Sequence, residues 1–99
     1  MLLEVLTPQK LMYRGYVEHV RMPGIDGSFG VMKKHAPLIS ALEEGTVEID
    51  QIKAENINFP GYGGTLIDKD ENKNAAHIDF KVTGGVVEVY EDKIIILTE

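Results

Sequence analysis

The chain has 99 residues, no cysteine and no tryptophan, 43% apolar side chains, and ten basic against sixteen acidic groups for a net charge of -6. That length makes one domain with enough interior to fold without staples, and the missing cysteines exclude a disulfide framework, a zinc finger and a thiol nucleophile. The acid excess argues against a nucleic-acid binder and against adhesion by charge to anionic lipid, the longest apolar run, Ile94 to Leu97, falls far short of the roughly 20 residues of a membrane span, and the opening Met-Leu-Leu-Glu-Val-Leu lacks the basic start of a secretory signal.

Short β-type runs separated by turn residues dominate. Leu2 to Leu6 alternates weakly and stops at Thr7-Pro8, where proline withdraws a ladder donor. Tyr13 to Met22 is a long β-rich run closed by Pro23-Gly24. Its apolar Val17 and Val20 are three apart, which predicts a bulge or a bend between sheets, with Gly15 as the candidate bend. Ile25-Asp26-Gly27 reads as a tight turn, and Ser28 to Val31 as a small strand. Leu38 to Leu42 fits a helix or a strand equally: Leu38, Ala41 and Leu42 have helical spacing after Pro37. Thr46 to Ile49 alternates as a strand.

Asp50 to Ala76 is crowded with Gly, Pro and Asn, and reads as a long loop with at most one short strand near Thr65 to Ile67. Its polar run, Asp68 to Asn74, is expected to be the most mobile part. The last third is an antiparallel meander. Ile78, Phe80 and Val82 share one face opposite Asp79 and Lys81, and Val87 and Val89 face away from Glu88 and Tyr90. Lys93 to Thr98 follows, apolar on both faces from Ile94 to Leu97, so it is either buried twice or covered by a partner. Eight or so short strands at this spacing with almost no helix predict an all-β fold, a β-sandwich or a barrel, in a single domain over 1–99.

The chemistry-bearing residues are few. His19, His35 and His77 lack metal-ligand spacing, and no Asp or Glu cluster completes a site, so no metal is expected. A Ser-His-Asp set drawn from Ser28 or Ser40, His35 and Asp26 lacks a strand–turn–helix context for a nucleophile. Gly61-Tyr-Gly-Gly64 lacks the lysine and the helix of a phosphate cradle. The acidic run at 68–71 lacks the glycine and glutamate of a calcium loop. No catalytic residue and no cofactor is assigned. Two features remain: the stiff corner His35-Ala36-Pro37 after Lys33-Lys34, read as an exposed corner beside the Asp26-Gly27 turn, and the doubly apolar last strand together with Met12, Met22 and Met32.

Five segments in this order resemble a known family. They are Leu3-Glu-Val-Leu-Thr-Pro8, Met22-Pro23-Gly24, Gly27-Ser-Phe-Gly-Val31, His35-Ala-Pro-Leu-Ile-Ser-Ala-Leu42, and Val82 to Leu97 with its Gly84-Gly85. Together they resemble the N-terminal β-sandwich of the ε subunit of the F-type ATP synthase. The resemblance makes 38–42 a strand and implies a flattened antiparallel β-sandwich of about ten short strands. It implies a non-catalytic rotor subunit of a proton-translocating enzyme, bound to the γ subunit and the c-ring, and indirectly to the α/β catalytic head. Such a subunit would be peripheral on the cytoplasmic side of the bacterial inner membrane, with no insertion of its own. Asp26, Gly27, Ser28, Phe29 and Gly30 would meet the polar loops of the ring, and His35, Ala36, Pro37 and Leu38 would lie near the γ and ring contacts.

Two departures accompany the resemblance. The sequence stops at Glu99 without the family's frequent C-terminal helical pair, so no ATP binding and no inhibition by a hairpin are expected. The stretch 50–76 is longer than the family usually has there. A rival reading is a free-standing β-sandwich that binds a ligand through the 56–76 loop, with Phe59 and Tyr62 as its platform.

Overall fold

The computed structural model describes residues 1–68, 72–73 and 75–99. In chain order the elements are β1 (Leu2–Leu6), β2 (Leu11–Gly24), β3 (Gly27–Met32), β4 (Leu38–Leu42), β5 (Gly45–Gln51), α1 (Lys53–Asn56), α2 (Thr65–Asp68), β6 (His77–Val82), β7 (Gly85–Tyr90) and β8 (Lys93–Thr98). The expected all-β sandwich forms, flattened to 35 × 28 × 20 Å. Among the described residues it has eight strands, the number the spacing of the β-type runs suggests and fewer than the ten or so the resemblance implies, and not all of them run antiparallel: β1 pairs with β8 in parallel, Leu2 opposite Lys93 through Leu6 opposite Leu97.

The long β2 serves both layers. Its first half pairs with β1, and its second half with β3 on one side and β5 on the other. The register slips between Val17 and His19. The extra residue, Glu18, is exposed, and this bulge restores the phase that Val17 and Val20 broke in the sequence. The bend is therefore not at Gly15, which pairs in register with Leu3. A Cβ at Gly15 would press on the Tyr13 hydroxyl and the Tyr62 ring, so glycine here makes room for two aromatic side chains.

Beyond β2, one layer continues as β4, β7, β8 and β1, and the other as β5 and β6. Between them lies one core. Leu3, Val5, Val87, Ile94 and Ile96 come from the first layer, and Val20, Met22, Val31, Val47, Ile49 and Ile78 from the second, nearly all fully buried. Each such aliphatic side chain contributes about 1.5–3 kcal/mol of burial. The alternation predicted for the meander holds: Ile78, Phe80 and Val82 point inward while His77, Asp79 and Lys81 are exposed, and Val87 and Val89 point inward as well.

The helix-or-strand ambiguity at 38–42 resolves as strand β4, with Leu38 opposite Val89 and Leu42 opposite Gly85. Helical spacing of three residues lost to pairing that an isolated segment cannot reveal. The stretch 50–76 is not a bare loop. Thr65 to Asp68 is a helical turn and not a strand, and Gly63 makes an isolated bridge with Arg14 of β2. Of the polar run Asp68–Asn74, residues 69–71 and 74 lie outside the described residues, and the mobility and calcium-loop readings placed there lie outside them too.

Two buried amides anchor this stretch. Asn56 accepts from the Tyr16 N–H at 2.6 Å and donates to the Tyr16 carbonyl at 3.0 Å. Its side chain thus does the work of a strand partner where β5 ends. Gln51 accepts from the hydroxyls of Tyr13 and Tyr62 at 2.7 and 2.8 Å, and donates to the carbonyls of Ala75 and Asn72 at 2.7 and 3.1 Å. Neither amide leaves a buried side-chain nitrogen or oxygen without a partner, as burial requires.

Candidate functional site

The two faces of the sandwich differ in kind. On the layer containing β5 and β6, the outward residues stand in cross-strand rows. His19, Asp50 and His77 lie side by side, as do Arg21, Glu48 and Asp79. His77 Nδ1 is 2.9 Å from Asp50, with Glu48 and Asp79 each 3.8 Å from its Nε2, and His19 is 3.7 Å from the other Asp50 oxygen. The hydrogen bond to Asp50, reinforced by the charges of Asp50, Asp79 and Glu48, holds the His77 pKa above the ordinary imidazole value. Lys81 donates to the Thr46 hydroxyl at 2.9 Å. This face is charged, solvated and internally paired.

The outer face of the other layer is apolar. Cross-strand register aligns Ala41, Val86, Leu97 and Leu6 in one row, and Ile39, Glu88, Ile95 and Glu4 in the next. Ile39 is 73% exposed, Tyr90 61%, Leu97 53% and Val86 43%. Large aliphatic groups left this open and this contiguous mark a surface meant to be covered. The doubly apolar last strand is thereby explained: Ile94 and Ile96 are fully buried, and Leu97 lies open on the far side. A cleft of about 490 Å³ opens at one end, between Tyr16, Tyr90 and Ile95, with Glu88 and Asp92 at its rim.

One acid on this face is neutralised. Burial alone would raise the Glu4 pKa, but Arg14 Nε at 2.8 Å and Lys93 Nζ at 3.3 Å outweigh it. Their hydrogen bonds and charges hold the carboxyl below the usual carboxylate range. The row thus keeps a carboxylate among apolar neighbours by pairing it twice.

The sequence singled out two segments, and the fold separates them. Asp26, Gly27, Ser28 and Gly30 are exposed and Phe29 is half-buried, all on the β2–β3 hairpin. The tip is tied to the end of β4, where the Ile25 N–H donates to the Ala41 carbonyl at 3.2 Å. His35, Ala36, Pro37 and Leu38 form the corner after β3, at the start of β4. The corner is therefore not beside the turn; the length of β3, about 16–20 Å at the usual strand rise, lies between them. Ala36 and Pro37 are exposed, while His35 and Leu38 are half-buried. The corner leads straight into Ile39 and so adjoins the apolar face. Sequence reasoning set Tyr90 opposite Val87 and Val89, where it stands, but missed Ile39 and Val86 as surface residues, because each belongs to an apolar run whose inward and outward members look alike until register is known.

Phe59 and Tyr62, the platform of the ligand-binding reading, are engaged internally. Phe59 packs on Tyr16 with ring centroids 4.8 Å apart, and Tyr62 meets Tyr13 edge-on at 6.3 Å. Among the described residues no three His, Asp or Glu side chains are grouped to hold a metal ion. No described helix is long and apolar enough to cross a membrane.

Comparison with known proteins gives this architecture its place. The family described as the β-sandwich domain of the ATP synthase delta/epsilon chain matches residues 1–66. The ATP synthase epsilon chain of Chlorobium limicola is 39% identical over 97 residues, covering 98% of this chain and 86% of that one. Its counterpart in Chlorobaculum tepidum is 36% identical with the same coverage. That of Sulfurimonas denitrificans is 34% identical, over 98% of this chain and 58% of its own.

Among solved structures, a chain in the central stalk and c-ring of the Tetrahymena thermophila mitochondrial ATP synthase shares the fold, with a TM-score of 0.64 and 19% identity. A chain of the Euglena gracilis mitochondrial ATP synthase does so with a TM-score of 0.66 and 15% identity. This chain is matched over 99% and 97% of its length and spans 62% and 48% of those chains. On the strength of the matching domain and the near-full-length relatives, the chain belongs to the ATP synthase epsilon-chain family.

Proposed function

We propose that this chain is a non-catalytic rotor subunit of the central stalk in a proton-translocating F-type ATP synthase. In this reading it docks on the γ subunit and rests on the c-ring, and so helps couple ion flow to ATP synthesis in the α/β head. Its place is peripheral, on the cytoplasmic side of the bacterial inner membrane. The observation that carries the reading is the open apolar face of β4, β7 and β8, with Ile39, Val86 and Leu97 at its centre. A paired and charged opposite face offers γ little to bury. We therefore assign γ to the apolar face and to the adjoining corner of His35, Ala36, Pro37 and Leu38. The ring contact falls to the hairpin of Asp26, Gly27, Ser28, Phe29 and Gly30, whose tip is exposed. The reading requires no nucleotide or metal ligand from this chain.

The test is co-purification with γ and the c-ring from gently solubilised membranes. Leu97→Glu and Ile39→Glu each place a charge in the covered face, and at a burial worth of about 1.5–3 kcal/mol should weaken recovery of γ by roughly tenfold or more. Their thermal melts should match wild type, since both side chains are exposed. Lys81→Glu on the opposite face should leave recovery unchanged. Retention of γ by both apolar-face variants at wild-type levels would refute the assignment.

A further inference from the structure

β3 is an edge strand of an unusual kind for a soluble protein. Among the described residues it pairs with β2 alone. Its residues Gly27 to Met32 carry no charge, no proline and no bulge, the three devices by which exposed edges are normally blunted. The opposite edge of the same layer, β6, shows the contrast, with His77, Asp79 and Lys81 exposed along it.

The direction of the free backbone groups follows from alternation along an antiparallel ladder. The Pro23 carbonyl accepts from Glu43 N–H at 2.9 Å, on the side of β2 away from β3. Pro23 and its partner Ser28 are therefore a non-hydrogen-bonded pair, and so are Arg21 with Gly30 and His19 with Met32. Ser28, Gly30 and Met32 accordingly aim their N–H and C=O groups outward. The Met32 carbonyl confirms the parity, since it accepts from His35 N–H at 3.1 Å in the turn beyond the strand.

We infer that two copies of this chain pair edge to edge through β3, antiparallel and centred on Gly30. In that register Gly30 faces Gly30 of the second copy and Ser28 faces Met32, with all the outward groups in hydrogen-bonding positions. About four main-chain hydrogen bonds between unengaged groups would cross the two-fold axis, and the two from Ser28 N–H would share the Met32 carbonyl with His35 N–H. The flanking charges select the second copy as occupant. One residue before the strand stands exposed Asp26, and beyond it exposed Lys33 and Lys34, with Lys34 fixed in a left-handed conformation at φ 69°. The same register sets Asp26 of each copy against Lys34 of the other. The edge is thus complementary to itself in both backbone and charge. The pair does not depend on the central-stalk reading, and it would form in chain not engaged elsewhere by the hairpin.

Sedimentation equilibrium of the purified full chain at low salt tests this. Wild type should pass from monomer to dimer with a dissociation constant between about 10 µM and 1 mM. Ser28→Pro removes an outward donor without touching the β2 ladder, and should hold the chain monomeric. Asp26→Lys and Lys34→Asp should each weaken pairing by about threefold to tenfold, and the double swap should restore it to within about twofold. The swaps lie on exposed turns, so they decide the matter even where Ser28→Pro disturbs the fold. A monomer at every concentration up to about 1 mM would overturn the inference, as would a double swap no tighter than either single one.

Discussion

Replacing Gln51 by leucine probes the polar hub that ties the 50–76 stretch to the core. Gln51 is 7% exposed and makes four side-chain hydrogen bonds. Leucine keeps the apolar bulk and removes all four. The heaviest loss falls on Tyr13, which is fully buried. Burial, with the nearby Tyr62, pushes its phenol pKa well above the usual value, so it remains a hydrogen-bond donor throughout the working pH range. A buried donor left without an acceptor costs about 1–3 kcal/mol. Tyr62 and the Ala75 and Asn72 carbonyls are half-buried and regain water in part, at about 0.5 kcal/mol each. The sum is about 3–4 kcal/mol.

For a domain of this size that lowers the melting temperature by roughly 12–30 °C. Urea unfolding followed by far-UV circular dichroism reads it directly, since the chain has no tryptophan. A second arm sharpens the reasoning. Tyr13→Phe alone should cost about 1 kcal/mol, and Gln51→Leu should cost less in that background than in wild type, because the stranded hydroxyl is already gone. A Gln51→Leu penalty below about 1 kcal/mol, or full additivity with Tyr13→Phe, would refute the argument that the hub is held by desolvated hydrogen bonds.

Asn56→Ala should cost about 1–3 kcal/mol and speed amide exchange in residues 52–63, read by hydrogen-exchange mass spectrometry. Gly64→Ala forces a side chain into φ +109° with its Cβ against the Met12 backbone, and should cost about 2–3 kcal/mol by thermal melt. Glu4 titrates below its unfolded value, so its stabilisation is present above the unfolded pKa and lost as pH falls through the folded one. Glu4→Gln should therefore destabilise by about 1 kcal/mol near neutrality and match wild type in acid, as read by pH-resolved urea midpoints. His77 titrates above its unfolded value, so its contribution is complete below that value and fades as pH rises through the folded one. Its NMR titration midpoint should lie above the ordinary histidine value and return toward it in Asp50→Asn.

The sequence was informative wherever a signal was local. Alternation placed Ile78, Phe80, Val82, Val87 and Val89 inward without any knowledge of their partners. The phase break at Val17 and Val20 announced a bulge, though its position depended on which strand lay alongside. What stayed hidden was pairing between distant segments. The parallel match of β1 with β8 and the exposure of Ile39 and Val86 are consequences of register, and 38–42, which its own spacing left between helix and strand, was made a strand only by the family resemblance. The 50–76 stretch misled for a related reason. Its glycines, prolines and asparagines do make turns, but Asn56 and Gln51 act on backbone groups 40 and 24 residues away. No local pattern encodes such reach. The hairpin and the corner looked adjacent because they are near in sequence, and β3 holds them a strand's length apart.

The parallel pairing of β1 with β8 also governs when this molecule can finish folding. The strand made before all the other strands of this domain finds one of its two lateral partners only in residues 93–97. Until those residues leave the ribosome, β1 has β2 on one flank and an open row of peptide groups on the other. Local hairpins such as β2–β3 can close early, but the layer that carries β1 cannot. Maturation therefore waits until Lys93 to Leu97 have been made, and a nascent chain halted before Lys93 should remain open to proteases that the folded domain resists.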